Sequence, residues 1–362
     1  MADIPETMTA VLLTGHGGFD KLDVRDDVPV PTPGPGEVLI KVGAAGVNNT
    51  DVNTRTGWYA KSVTDGSSAG GDTGFDDLED GSDGSWSGEF TFPRIQGADC
   101  CGQIIAVGEG VDGARLDERV VVRTMQVDPE GDSRVGCKVL GSEYDGGFAQ
   151  YMTAPAIEAV TVTSDWTDVE LASLPCAYST AEGMIDAAEV TAGQRVLVTG
   201  ASGGVGVATV QLCKRRGAEV VAMTSAAKAD AVRALGADQV LDRNADIVSE
   251  LGEESVDVVL DVVGGDGFPA LLDVLKAGGT YGTVGAIAGP IVELDLRTLY
   301  LKDLTMRGTT FQAPEHMDNV VRYVENGEIE PTVALTFPLT EIVAAQEAFL
   351  AKDHVGKIVL VP

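Results

Sequence analysis

Basic residues are scarce in this chain. Its 362 residues hold 25 Lys and Arg against 56 Asp and Glu, a formal net charge of −31. So negative a surface repels nucleic-acid phosphates and anionic lipid headgroups, so neither is an expected partner. The acidity reads as solvation of the whole surface rather than as a binding site. With few lysines and abundant Ala and Gly, it points to a salt-rich cytosol such as a halophile's. Stability is then expected to fall at low ionic strength, where carboxylates repel unscreened. Cysteine is also sparse: Cys100, Cys101, Cys137, Cys176 and Cys213 form an odd set without paired spacing. Adjacent cysteines rarely bridge each other, so Cys100 and Cys101 make a poor disulfide. No apolar run approaches the ~18 residues of a membrane span, and no basic-then-apolar leader opens the chain. The expectation is a reduced, soluble, cytoplasmic protein. Only three histidines occur, His16, His316 and His354, and they read as surface or loop residues.

Glycine, by contrast, is plentiful, with 45 in the chain. In the first third, short strand patterns such as "MTAVLLT", "EVLIKVGAAGV" and "QIIAVGEGV" are separated by turns such as "VPTPGPGE". This reads as an antiparallel β domain. From about residue 192 the rhythm becomes strand, helix, strand. Six apolar strands, from "RVLVT" to "DLTMRGT", alternate with helices, including one over "FPALLDVLKAGG". That pattern predicts a buried, doubly wound parallel sheet. The tail "TFPLTEIVAAQEAFLAKDHVGKIVLVP" adds a helix and strand expected to return to the first domain. Between Ser62 and Phe90 lies an acidic stretch without Lys or Arg. It reads as a long flexible surface loop. A calcium loop is the sharper alternative for "DDLEDGSDG", but EF-hand spacing and the closing glutamate are missing.

"VLVTGASGGVG" follows a strand and opens a helix. Gly200, Gly203, Gly204 and Gly206 suit a tight turn, close approach to a pyrophosphate and tight helix–strand packing, with Ser202 and Val205 on the same loop. The helix N-terminus then offers unpaired N–H groups to the phosphates. The end of the second strand bears on cofactor choice. An NAD site normally places an acid there for the ribose 2′-OH. This chain has Met223, Thr224 and Ser225, with no acid before Asp230. Ser225, Lys228 and Arg243 can instead donate to a 2′-phosphate. NADPH is therefore expected rather than NADH. The backbone of Val263, Val284 and Gly285, at the carboxyl ends of strands, is expected to line the cofactor cleft.

These stretches, with "PGPGEVLIKVGAAGVNNTDVNTRTGWY", "GADCCGQIIAVGEGV", "DGGFAQYMTAP", "SLPCAYSTAEGM" and "HVGKIVLVP", resemble the medium-chain dehydrogenase/reductase superfamily. The likeness is to its zinc-free, quinone-oxidoreductase-like branch, and it covers nearly the whole chain. It implies an α/β fold with a GroES-like β-rich catalytic domain over 1–172 and 313–362, with the acidic insertion at 62–90. A six-stranded Rossmann domain over 173–312 completes it, with the active site in the cleft between. Small-molecule substrates and a homodimer or homotetramer are implied as well. In zinc-dependent relatives three ligands hold the metal; here Asn48 and Ala98 stand in two of those positions, and only Cys176 remains. Cys137 stands alone where the family's structural-zinc lobe has four cysteines. No metal is expected, and Cys100 and Cys101 read as small core residues.

Without zinc, a quinone or α,β-unsaturated carbonyl remains reducible, because hydride addition gives a delocalised anion that needs only hydrogen-bond donors. The resemblance places Asn48 and Tyr59 beside the nicotinamide as candidate donors. It assigns Asp51 to orienting their loop and Thr180 to contact with the nicotinamide. Two alternatives stay open. One is a zinc-dependent alcohol or polyol dehydrogenase using Asp99, Cys176 and one of Cys100 and Cys101. The other is an NADPH-binding protein without turnover.

Overall fold

The computed structural model describes residues 4–75, 90–126 and 137–362. Six strands form one parallel sheet: Arg195–Val198, Glu219–Thr224, Gln239–Asp242, Val256–Asp261, Leu275–Thr283 and Thr305–Gly308. Numbered by position in the chain, their order is 3-2-1-4-5-6. The order reverses beside the first strand, so a crevice opens there at the carboxyl ends of the strands. Helices cover both faces, and central strands such as Val256–Asp261 are accordingly apolar along almost their whole length.

Two elements differ from expectation. The helix beginning at Phe268 ends at Asp273, and Leu275 already belongs to the next strand, paired with Val256. Sheet pairing overrides the helical pattern of "VLKAGG". The last strand, Thr305–Gly308, is not buried: it is the sheet's edge, with Met306, Arg307 and Gly308 exposed.

The other half is antiparallel β structure. Its central strand, Glu37–Val47, pairs with Cys101–Val107 and Tyr151–Pro155. The chain's last strand, Lys357–Val361, returns to this sheet as the tail pattern suggested. It lies antiparallel to Glu37–Val47, with Val359 opposite Gly46, and parallel to Val333–Pro338. Cys100 and Cys101 are both fully buried, and each joins a different apolar cluster. Adjacent residues of an extended chain point to opposite sides, so both are core residues, one on each face.

Of the acidic stretch 62–90, residues 76–89, which carry most of its acids and the candidate calcium loop, lie outside the described residues. The part before them does not stand free as a surface loop. The Ser67 N–H donates to the Ile287 carbonyl at 3.0 Å, and Arg55 Nη2 donates to the Gly71 carbonyl at 2.7 Å. Arg55, itself fully buried, thus anchors this segment over the cleft.

Candidate active site

The strand Arg195–Val198 leads through Gly200 into the helix Gly204–Arg215, whose N-cap is Gly203. No side chain caps this helix, so its first N–H groups face the cleft, ready for an anion. A Cβ on Gly206 would stand 2.2 Å from the Gly200 carbonyl oxygen, so only glycine permits this tight return. Two connected cavities meet at the loop and share Asn49, Gly200, Gly203 and Gly204. One runs past Val205, Gly206, Val284 and Gly285 to Asn48, Tyr59 and Thr180. The other holds Ser202, Ser225, Lys228, Arg243 and Val263. Every cofactor residue expected from sequence therefore lines one cavity or the other, and the loop, its helix and the strand ends fit a dinucleotide.

Beneath the first cavity lies a buried polar cluster. Asn48 immediately precedes the helix Asn49–Thr56, and the Asp51 carboxylate accepts from the N–H groups of Asn48 (2.8 Å) and Ala98 (3.2 Å). Asp51 lines neither cavity; it ties the start of its helix to the turn before the strand Cys101–Val107. Burial pushes its carboxyl up to about 7, with Asp99 adding to the rise and these N–H donors and Lys357 opposing it.

Asp99 and Lys357 form a buried ion pair at 2.8 Å. Asp99 also accepts from Asn48 Nδ2 at 2.8 Å and from the Cys176 N–H at 2.6 Å. Lys357 Nζ donates to Asn48 Oδ1 and, at 3.0 Å, to the Val47 carbonyl. Gly46 makes this arrangement possible: a Cβ there would lie 2.4 Å from Asp99 Oδ2. Asn48 Nδ2 reaches the Gly46 carbonyl as well, at 3.3 Å. Both ends of the Asn48 amide are thus engaged inside the protein, which corrects its expected part as a donor to substrate. It is a buttress.

These donors do not suit zinc. Ala98 has no ligand atom, Asn48 is committed, and both Asp99 oxygens accept hydrogen bonds. Cys176 is then the one zinc ligand of the family pattern that remains, and three protein ligands are needed. Among the described residues no group of three or more His, Cys, Asp and Glu could hold a metal ion.

On the open side, Tyr59 Oη donates to Thr50 Oγ1 at 3.3 Å, and burial raises the phenol. Thr180 Oγ1 accepts from Gln312 Nε2 at 2.7 Å. Trp58, Met125 and Val139 supply an apolar wall. Thr50, Gln312 and Lys357 escaped sequence reasoning. Thr50 stands two residues after Asn48 in the first turn of its helix and was within reach of a helical reading. Lys357 and Gln312 arrive from distant segments and leave no local signal. The histidines also differ from expectation. His316 is buried, with Nδ1 accepting from the Ala313 N–H at 3.1 Å, because it sits at the start of the packed helix Pro314–Glu325. His354 lines the second cavity. His16 Nδ1 pairs with the Thr54 carbonyl at 2.7 Å.

Residues 34–164 match a family described as alcohol dehydrogenase GroES-like domain, and residues 204–326 match zinc-binding dehydrogenase. A solved structure of a putative alcohol dehydrogenase from Sinorhizobium meliloti 1021 is 45% identical, with a TM-score of 0.91 over 100% of this chain and 98% of that one. Acryloyl-coenzyme A reductase of Metallosphaera sedula is 28% identical over 98% of this chain and 99% of its own. A 2-octenoyl-CoA carboxylase reductase, solved with NADP and 2-octenoyl-CoA, is 26% identical at a TM-score of 0.82, covering 99% of this chain and 88% of that one. Among the described residues no helix is long and apolar enough to cross a membrane.

Proposed function

The chain belongs to the medium-chain dehydrogenase/reductase superfamily, and from that premise we propose an NADPH-dependent reductase of α,β-unsaturated carbonyls, quinones or similarly activated carbonyls that uses no metal. The observation that carries this reading is the Asn48–Asp99–Lys357 cluster, which commits the groups that would otherwise surround a metal. Without a Lewis acid, an unactivated ketone gains too little stabilisation of its developing alkoxide. An enone or quinone spreads that charge, and one or two aimed donors suffice.

The bound cofactor supplies the hydride. The protein's part is binding, orientation and proton placement. Gly203 and the helix it caps receive the pyrophosphate, and Ser225, Lys228 and Arg243 take the 2′-phosphate. Tyr59, its phenol raised by burial, keeps its proton and donates to the substrate oxygen, alone or through Thr50. Thr180 holds the nicotinamide side of the cleft, and Asp51 fixes the loop that carries Tyr59. The acyl-CoA reductases among the relatives also handle conjugated or activated acyl groups by name, which supports an enone-type acceptor. The reading includes a homo-oligomer: Leu296, Tyr300 and Leu301 expose apolar surface next in sequence to the unpaired edge strand Thr305–Gly308.

The test is NADPH oxidation with 2-cyclohexenone, 1,4-benzoquinone, a simple ketone and, in reverse, primary alcohols, each with and without 1,10-phenanthroline. Turnover of the enone or quinone, unchanged by chelator, is expected. Tyr59→Phe should lower kcat by about 100-fold while KM for NADPH stays within about twofold. Activity confined to alcohols and abolished by chelator would refute the reading.

A further inference from the structure

The second cavity holds a cation that the glycine-loop half of the molecule does not provide. Lys352 follows the helix Ile342–Ala351 in the catalytic half and turns back in the left-handed conformation, with φ 55°. It lines the same cavity as Lys228 and Arg243. Lys228 Nζ donates to the Lys352 carbonyl, which joins the two halves at this point. Lys352 Nζ lies 3.8 Å from the centre of the Phe349 ring and makes one long hydrogen bond, 3.3 Å, to Asn49 Oδ1.

An ammonium has three protons to donate, so two remain uncommitted. Among the described residues, neither Lys228, Arg243 nor Lys352 has a carboxylate within salt-bridge distance, although the chain carries a net charge of −31. Asp353 acts on Lys228 only through space. Three acids line the cavity: Asp261 accepts from Thr199 and Tyr281, Asp246 accepts from Ser249, and Asp266, like them, is in no ion pair with these cations among the described residues. Two buried polar atoms beside the lysines also lack partners among the described residues, Thr224 Oγ1 and His354 Nδ1. Burial, and after it the neighbouring Lys228, push the Lys352 amine down to about 8. Burial, Lys352 and Lys228 push His354 down to about 4, against a backbone hydrogen bond at Ala348, so its ring is neutral and adds no charge to the cavity. Unneutralised cations, orphaned polar atoms and a cavity coincide at one place. Their shared complement is a dianion carried on a hydroxylated sugar.

We propose that Lys352 is a further specificity-determining residue, clamping the cofactor's adenosine 2′-phosphate together with Lys228. This rests on the NADPH reading and adds a ligand from the catalytic half, so cofactor choice is read by both halves at once.

The experiment titrates NADPH, NADH, 2′,5′-ADP and 5′-AMP into the full-length protein and its Lys352→Met and Lys352→Arg variants, with thermal unfolding of each variant without ligand. Lys352→Met should weaken NADPH and 2′,5′-ADP by about 10- to 100-fold and leave NADH and 5′-AMP within about threefold. Lys352→Arg should restore most of the loss. The Met variant should melt no lower than the parent, because it removes a repulsion, so lost binding cannot be ascribed to misfolding. Equal weakening of all four ligands assigns Lys352 to the pyrophosphate and overturns the proposal. If the parent prefers NADPH and the Met variant binds it unchanged, the proposal alone fails. If the parent binds NADH as well as NADPH, the cofactor reading fails and the proposal falls with it.

Discussion

A single amide changes what the cleft can do. Asn48 offers a hydrogen-bond acceptor and donors where a thiolate would ligate, and Lys357 and Asp99 answer it with an ion pair. That Asn48 and Ala98 replace two ligands of the family's zinc pattern was legible from the residues. The ammonium beside them was not, because Lys357 lies 309 positions further along the chain and local pattern carries no such pairing. Lys352 escaped for the same reason. Its charge has a consequence for stability. The amine falls from its ordinary 10.5 to about 8 in the folded protein, so between these values the unfolded chain binds more protons than the native one. Stability from this group should therefore rise with pH across about 8 to 10.5, and the penalty should be complete below 8. Urea unfolding of parent and Lys352→Met at pH 7.5 and 10 should show the variant's advantage shrinking at the higher pH. An advantage that grows with pH would contradict the assignment.

At the level of elements, the parallel sheet was readable because each strand is a short apolar run bounded by turn residues. Two features were not. The helix after Gly267 stops early because Leu275 finds Val256, a tertiary partner that outweighs propensity. The strand Thr305–Gly308 looks like its buried neighbours in sequence, yet it closes the sheet on one side and has no strand on its outer edge among the described residues. Unpaired edges with apolar surroundings invite another strand. Met306 at 39% exposure and Leu301 at 71% are therefore the positions to charge. If the proposed homo-oligomer forms through this edge, Leu301→Asp with Met306→Asp should shift it toward monomer by sedimentation or light scattering. A variant that keeps the parent's mass would place the contact elsewhere.

For the whole molecule, charge dominates. Described surface ion pairs such as Arg25–Asp27 and Arg233–Asp230 are exposed and contribute little. The excess carboxylates repel across the surface, and salt shortens that repulsion to about 3 Å at 1 M. The melting temperature should climb by roughly 5 °C or more between 0.1 and 2 M KCl, the equivalent of one or two kcal/mol. A flat response would detach the composition from any need for salt. Fold class and the order of the elements were open to reading from sequence. The docking of residues 62–75 over the cleft was not, since it depends on Arg55 and on one backbone bond from Ser67 to Ile287.

The returning strand Lys357–Val361 also fixes a timetable. Glu37–Val47 leaves the ribosome early, but the strand that flanks it in the finished sheet is made about 310 residues later. At 5–20 residues per second that wait is on the order of 15–60 s. The six parallel strands between Arg195 and Gly308 are all synthesised within it. During synthesis the nucleotide-binding half can therefore assemble while the catalytic half still lacks its last strand. Lys357, the charge at the centre of the buried cluster, arrives with that strand, so the cluster can close only after the parallel sheet has been made.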